Sequence, residues 1–204
     1  MAVAAATRGA AYEMACLHTL TPWLSMRLHR TGGAGDRGID LQGWWDVPQV
    51  AQSTSTCGSV RVLVQCKAEK KAIGPSVVRE LEGTTFRAIC ENQGRAADLA
   101  TSLPASSVTT PVLGLLASFS GFSKQAILHA RSSRVPLLLL HLCTPSPSIE
   151  ETERLTCRGF VWNDALAGPQ GLLRGRYEAV WTSTSPTSYT PSRLSLYCDG
   201  IRVA

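Results

Sequence analysis

Val60-Arg61-Val62-Leu63-Val64-Gln65-Cys66-Lys67-Ala68 alternates along its length, so Arg61, Leu63, Gln65 and Lys67 share one face of a strand and Val62, Val64 and Cys66 the other. Gly74-Pro75 then opens a helix in which Val78, Leu81 and Thr85 recur at helical spacing. Further on, Pro111 to Phe119 is a nearly continuous apolar run, the mark of a central strand covered on both sides. Ser123 caps a helix through Arg131, and Val135 to Leu142 reads as another buried strand. Strand, helix, strand, helix and strand therefore alternate, which predicts an α/β sheet with helices on both faces.

Upstream, a helix is expected from about Thr7 to Leu20, stopped by Thr21-Pro22, with Glu13, Leu17 and Leu20 on its core-facing stripe. Leu24 to Arg30 is a short extended piece, Gly32-Gly33-Ala34-Gly35 a turn, and Ile39 to Trp45 a strand. Pro48 to Ser59 is a polar loop. The segment from Thr144 to Ser148, with Pro145 and Pro147, reads as a connector. It divides a core of residues 1–143 from a C-terminal extension, 144–204, where Arg176 to Thr182 and Arg193 to Tyr197 form a hairpin.

A chain of 204 residues buries roughly 70% of its unfolded surface, enough for a core without staples. With 44% hydrophobic and 17% charged residues, the composition is globular and excludes disorder. Seven scattered cysteines without a CxxC pair read as reduced, mostly buried thiols, and no His has zinc-ligand spacing from a Cys pair. No apolar run approaches the ~18 residues of a membrane-spanning helix. The Ala-rich start, with Arg8 and no acid in its first twelve residues, is similar to the tail of an organellar transit peptide.

The net charge of +5 is unevenly spread. Six Lys or Arg face three acids between Arg61 and Arg87, and Arg27, Arg30 and Arg37 with His29 cluster just upstream, as a polyanionic partner requires. Within that basic region stand Asp40, at the start of one strand, and Gln65 and Lys67 on one face of the next, with Glu13 on the preceding helix. Carboxylate and amide oxygens suit Mg²⁺ or Mn²⁺, and an ammonium can orient an attacking water or offset charge on phosphorus. Asp36 is a weaker candidate, because a Gly-flanked Asp also stabilises turns. Trp44-Trp45 can stack on bases or pack into the core. Cys66, on the opposite face from Gln65, is expected to pack and not to react.

Taken in order, Glu13, Gly35-Asp36-Arg37-Gly38-Ile39-Asp40, Gln65-Cys66-Lys67 and Val78-Arg79-Glu80-Leu81-Glu82-Gly83 resemble the Mrr-like restriction endonuclease branch of the PD-(D/E)xK nuclease superfamily. The likeness runs on through Ser118 and Ser123-Lys124-Gln125-Ala126, covering residues 8–142. Gly38 to Trp45, Val64 to Lys67, Arg79 to Gly83 and Trp162-Asn163 resemble more closely a fungal mitochondrial family required for respiratory growth. The resemblance implies a restriction-endonuclease-like α/β fold with a mixed central β-sheet flanked by helices on both faces, a mitochondrial address and a Mg²⁺-dependent (or Mn²⁺-dependent) endodeoxyribonuclease in genome maintenance, for which a homodimer is allowed. It makes Asp40 the principal metal ligand, Lys67 the catalytic lysine, Gln65 a neutral ligand where most relatives carry an acid, and Glu13 an accessory carboxylate. Arg37, Lys70, Lys71, Arg79 and Ser118 are the candidate DNA contacts. The competing expectation is a DNA-binding or organellar maintenance factor that keeps the fold without turnover, a reading that neutral Gln65 leaves open.

Overall fold

Val112–Ser118 is buried at all seven positions, and the rest of the chain is arranged around it. The structure, a computed structural model, describes residues 2–31, 38–47, 59–100, 110–144, 154–182 and 193–203. Its elements are α1 (Ala2–Leu24), β1 (Met26–Arg30), β2 (Leu41–Trp45), β3 (Val60–Lys67), α2 (Pro75–Ala100), β4 (Val112–Ser118), α3 (Lys124–Ser132), β5 (Leu137–Cys143), β6 (Thr156–Trp162), α4 (Asp164–Ala167), β7 (Tyr177–Thr182), β8 (Arg193–Cys198) and β9 (Ile201–Arg202).

Strands β1 to β6 form one sheet in sequential order. The β3–β4 and β4–β5 pairs are parallel and the β1–β2, β2–β3 and β5–β6 pairs antiparallel, so the sheet is mixed. The two parallel steps need crossovers, which α2 and α3 supply. Those helices cover one face: Val78, Leu81, Ala88, Ala126 and Ala130 pack with Leu63, Leu116, Leu137 and Leu139. On the other face, α1 sets Tyr12, Ala15, Cys16, Leu20 and Leu24 against Val60, Val62, Val64, Leu115 and Leu140. Each fully buried leucine contributes about 1.5–3 kcal/mol of apolar transfer, so β4 and β5 anchor both layers.

Three expectations need correction. Pro22 lies inside α1, whose end comes at Leu24, before Ser25 at φ 56. In the last turn a proline removes only one helical bond, and the burial of Leu20 and Leu24 outweighs it. The buried stripe of α1 runs through Tyr12, Ala15, Cys16, Thr19, Leu20 and Leu24, leaving Glu13 at its rim. Among the six described cysteines, all free, only Cys16 and Cys198 are fully buried, and Cys90 on α2 is exposed.

Residues beyond Cys143 are integral to the core. Strand β6, absent from the expected elements, completes the sheet beside β5, across a register shift between His141 and Leu142. The expected hairpin is present as β7 and β8, with β9 added. Leu166, Leu173, Tyr177, Leu196 and Cys198 join the same apolar cluster as α1. Asn163, 3% exposed, is the knot of this region: its Nδ2 donates to the carbonyls of Ala130, Ser133 and Val135, while Oδ1 accepts from the Leu137 and Leu166 amides.

Candidate functional site

Asp40 enters β2 with its backbone already in the ladder: its N–H donates to Val64 O and its C=O accepts from Thr31 N–H, each at 2.9 Å. Its carboxylate Oδ2 accepts the backbone N–H of Cys66 at 2.6 Å. The antiparallel register ends at Leu41 opposite Val64, so Asp40 stands beside Gln65, one step further on. The strand alternation thus holds as read: Val60, Val62, Val64 and Cys66 face α1, while Leu63 faces α2.

Gln65 is 1% exposed, and its Oε1 has no hydrogen-bond partner among the described residues. Such an orphaned oxygen costs about 1–3 kcal/mol unless a water or ion satisfies it. Above it passes Gly38, at φ +75, where a Cβ would stand 3.0 Å from Gln65 Nε2 and 2.9 Å from Glu80 Oε1. The left-handed backbone favours glycine there, and a side chain would also have to push the Glu80 and Gln65 tips aside. Glu80, on α2, is therefore a further acid at this site. Sequence reading passed over it, although it lies inside the Arg79-to-Gly83 motif.

Lys67, half-buried, ends β3 opposite Ser118, and its C=O accepts from Phe119 N–H at 2.9 Å. Lys70, Lys71 and Arg79 are exposed. Ser118 is fully buried and its hydroxyl donates to Gly121 O at 2.9 Å, a bond that shapes the β4–α3 turn. Asp36 and Arg37 lie outside the described residues. Glu13 approaches from the α1 side, where its Oε2 takes both Nε and Nη2 of Arg30, at 3.0 and 2.7 Å.

Cys66 sits between these groups, facing α1. Hydrogen bonding with Cys16 and burial, reinforced by the negative charges of Asp40 and Glu13, push its thiol well above the usual range. It is a neutral packing group. Burial likewise pushes the Tyr12 phenol up, and its OH donates to Leu142 O at 2.9 Å. The paired tryptophans divide: Trp45 is buried in the α1-side core, and Trp44 is 39% exposed on the opposite face. Among the described residues no three His, Cys, Asp or Glu side chains gather closely enough to hold a metal ion. The oxygen donors brought side by side are instead one carboxylate, Asp40, and one amide, Gln65.

The family model of "Required for respiratory growth protein 7" matches residues 4–59 and 52–167. The chain belongs to this family. It is also 32% identical over 118 residues to an uncharacterised mitochondrial protein of Schizosaccharomyces pombe. That alignment takes in 58% of this chain and 38% of the relative, so the chain matches well under half of the yeast protein's length. No solved structure matches. The respiratory-growth family and the mitochondrial relative together make this a mitochondrial protein of a family linked to respiratory growth. No helix among the described residues is long and apolar enough to cross a membrane.

Proposed function

We propose that the protein is a metal-dependent nuclease of restriction-endonuclease-like fold that hydrolyses DNA phosphodiester bonds in mitochondrial genome maintenance. The observation that carries this reading is the bond from Cys66 N–H to the Asp40 carboxylate, which pins an acid to the peptide between an amide and a lysine. The orphaned Gln65 Oε1 fits it, since a hard oxygen buried without a partner suits Mg²⁺ or Mn²⁺. Asp40 and Gln65 would hold the ion, which when bound supplies Lewis-acid charge to the scissile phosphate. Lys67, next along the face from Gln65, holds the attacking water or neutralises charge growing on phosphorus. Lys70, Lys71 and Arg79, all exposed, would grip backbone phosphates without reading sequence. Glu13 joins the ligand set if Arg30 releases it.

A second reading has its own support. With one carboxylate and a neutral amide as the adjacent donors, and no three-residue acidic or thiol cluster among the described residues, metal affinity would be modest. A DNA-binding maintenance factor would keep this geometry without turnover. The purified chain is incubated with Mg²⁺ or Mn²⁺ and duplex, single-stranded or branched DNA, beside Asp40→Asn and Lys67→Ala. Cleavage by the wild type, lost in both variants while DNA binding persists, is the expected result. A wild type that cuts none of the substrates overturns the nuclease reading in favour of the binding factor.

A further inference from the structure

Helices α2 and α3 cover the sheet over β3, β4 and β5, and leave the same face of β1 and β2 open. The register sets Arg27, Trp44 and Arg61 in one row across β1, β2 and β3, with His29, Gln42 and Leu63 in the next. Paired residues in such ladders share a face with Cβ atoms about 4.5–5.5 Å apart, so Trp44 has an arginine as its cross-strand neighbour on each side. Arg27 and His29 are exposed and Arg61 is partly so. Along β2 the same open face leads from Trp44 through half-buried Gln42 to half-buried Asp40, a span of roughly 13 Å.

The surroundings of Trp44 say what it would meet. None of the other exposed large apolar side chains described (Phe86, Leu128, Val180, Trp181 and Ile201) lies on β1, β2 or β3. An indole alone among Arg27, Arg61, His29 and Gln42 lacks the apolar surround of a protein-binding core. Asp46 is the one acid in the group: it accepts from Arg27 Nε at 2.6 Å and Nη2 at 3.0 Å, and Ser59 donates to it at 2.6 Å. Arg27 is thereby neutralised and forms a rim. Arg61 makes no ion pair among the described residues and remains the cation beside the ring.

An exposed aromatic face beside an unpaired arginine is how proteins stack a base and hold its phosphate without regard to sequence. We propose that this open face binds single-stranded nucleic acid, with a base on Trp44 and the neighbouring phosphates on Arg61 and His29, the strand continuing along β2 past Gln42 towards Asp40. The direction of the strand rests on the nuclease reading, whereas the binding on Trp44 and Arg61 does not.

The full chain is titrated, in EDTA to prevent cleavage, into fluorescein-labelled 12-mers of oligothymidylate and oligouridylate, and anisotropy is followed at several salt concentrations. Trp44→Ala should weaken binding about tenfold, the loss of one stacked base, and Trp44→Phe should stay within about threefold of wild type. Arg61→Gln should flatten the salt dependence by about 0.7 in log–log slope. Arg61→Gln, at a surface position, carries the test should Trp44→Ala melt early. Wild-type affinity in Trp44→Ala and Arg61→Gln overturns the proposal, as does equal, Trp44-dependent binding of a polyglutamate peptide. Trp44-dependent binding by a protein that cuts nothing defeats the nuclease reading alone. Cleavage by a protein whose single-strand binding ignores both Trp44→Ala and Arg61→Gln defeats this proposal alone.

Discussion

The Asp40 carboxylate accepts the Cys66 backbone N–H at 2.6 Å, so the acid at the mouth of β2 and the peptide between Gln65 and Lys67 move as one unit. A charged acceptor on a backbone donor is worth about 1.5–3 kcal/mol. Asp40→Ala should lower unfolding stability by about that amount, whereas Asp40→Asn keeps an acceptor oxygen and should lose less than half as much. Urea titrations of the two variants check this, and equal losses would refute the bond's contribution.

Gln65 separates structural from metal-binding roles. Gln65→Leu removes the unpartnered oxygen at similar volume, so in EDTA it should be as stable as wild type or more so. Gln65→Glu adds a negative charge beneath Glu80, which reaches the same point near Gly38, and should melt earlier in EDTA. With Mn²⁺ added, the order should reverse: Gln65→Glu gains the largest rise in melting temperature and Gln65→Leu the smallest. Identical shifts in all three proteins would remove Gln65 from the ligand set.

Asn163→Ala should be among the most damaging single changes outside the site, at about 3–5 kcal/mol. It strips a partner from each of three carbonyls and two amides, and four of those five bonds are buried. Asn163→Asp keeps the acceptor but turns a donor into a second acceptor facing those carbonyls, and should be no milder. Chemical denaturation of both variants is the measurement.

Acid should loosen the α2–α3 contact through Glu82. Burial opposes ionisation of this carboxyl, but Ser133 Oγ–H and His129 Nε2 bond to it and hold it below its ordinary value of 4.5. A depressed folded value means that the stabilisation is present above about pH 4.5 and disappears as pH falls through the folded value. Glu82→Gln should therefore flatten the loss of stability on acidification below pH 4.5, as measured by thermal melts between pH 6 and pH 3. An unchanged slope would place the acid sensitivity elsewhere.

The elements that sequence predicts well are those whose burial is one-sided or total. Val112–Ser118 is apolar because both faces are covered, and Ser123 is legible because its side chain accepts the Ala126 N–H as a cap. Strand β6 was hidden because its residues are almost all half-exposed and show no period; its place depends on pairing with β5 across a shifted register. The same contrast divides the site. Asp40, Gln65 and Lys67 follow from strand alternation, a local rule. Glu80 follows from the left-handed backbone at Gly38, which stands against an α2 side chain from far along the chain.

Strand β6 also shields the long side of β5, where Leu138, Leu139 and Leu140 meet Trp162, Val161 and Phe160. Proteolysis in the span between them, if it released the distal fragment, would bare a leucine-rich ribbon with a row of open peptide groups. Such ribbons recruit one another, so the molecule trimmed there should fail by clumping before it fails by melting.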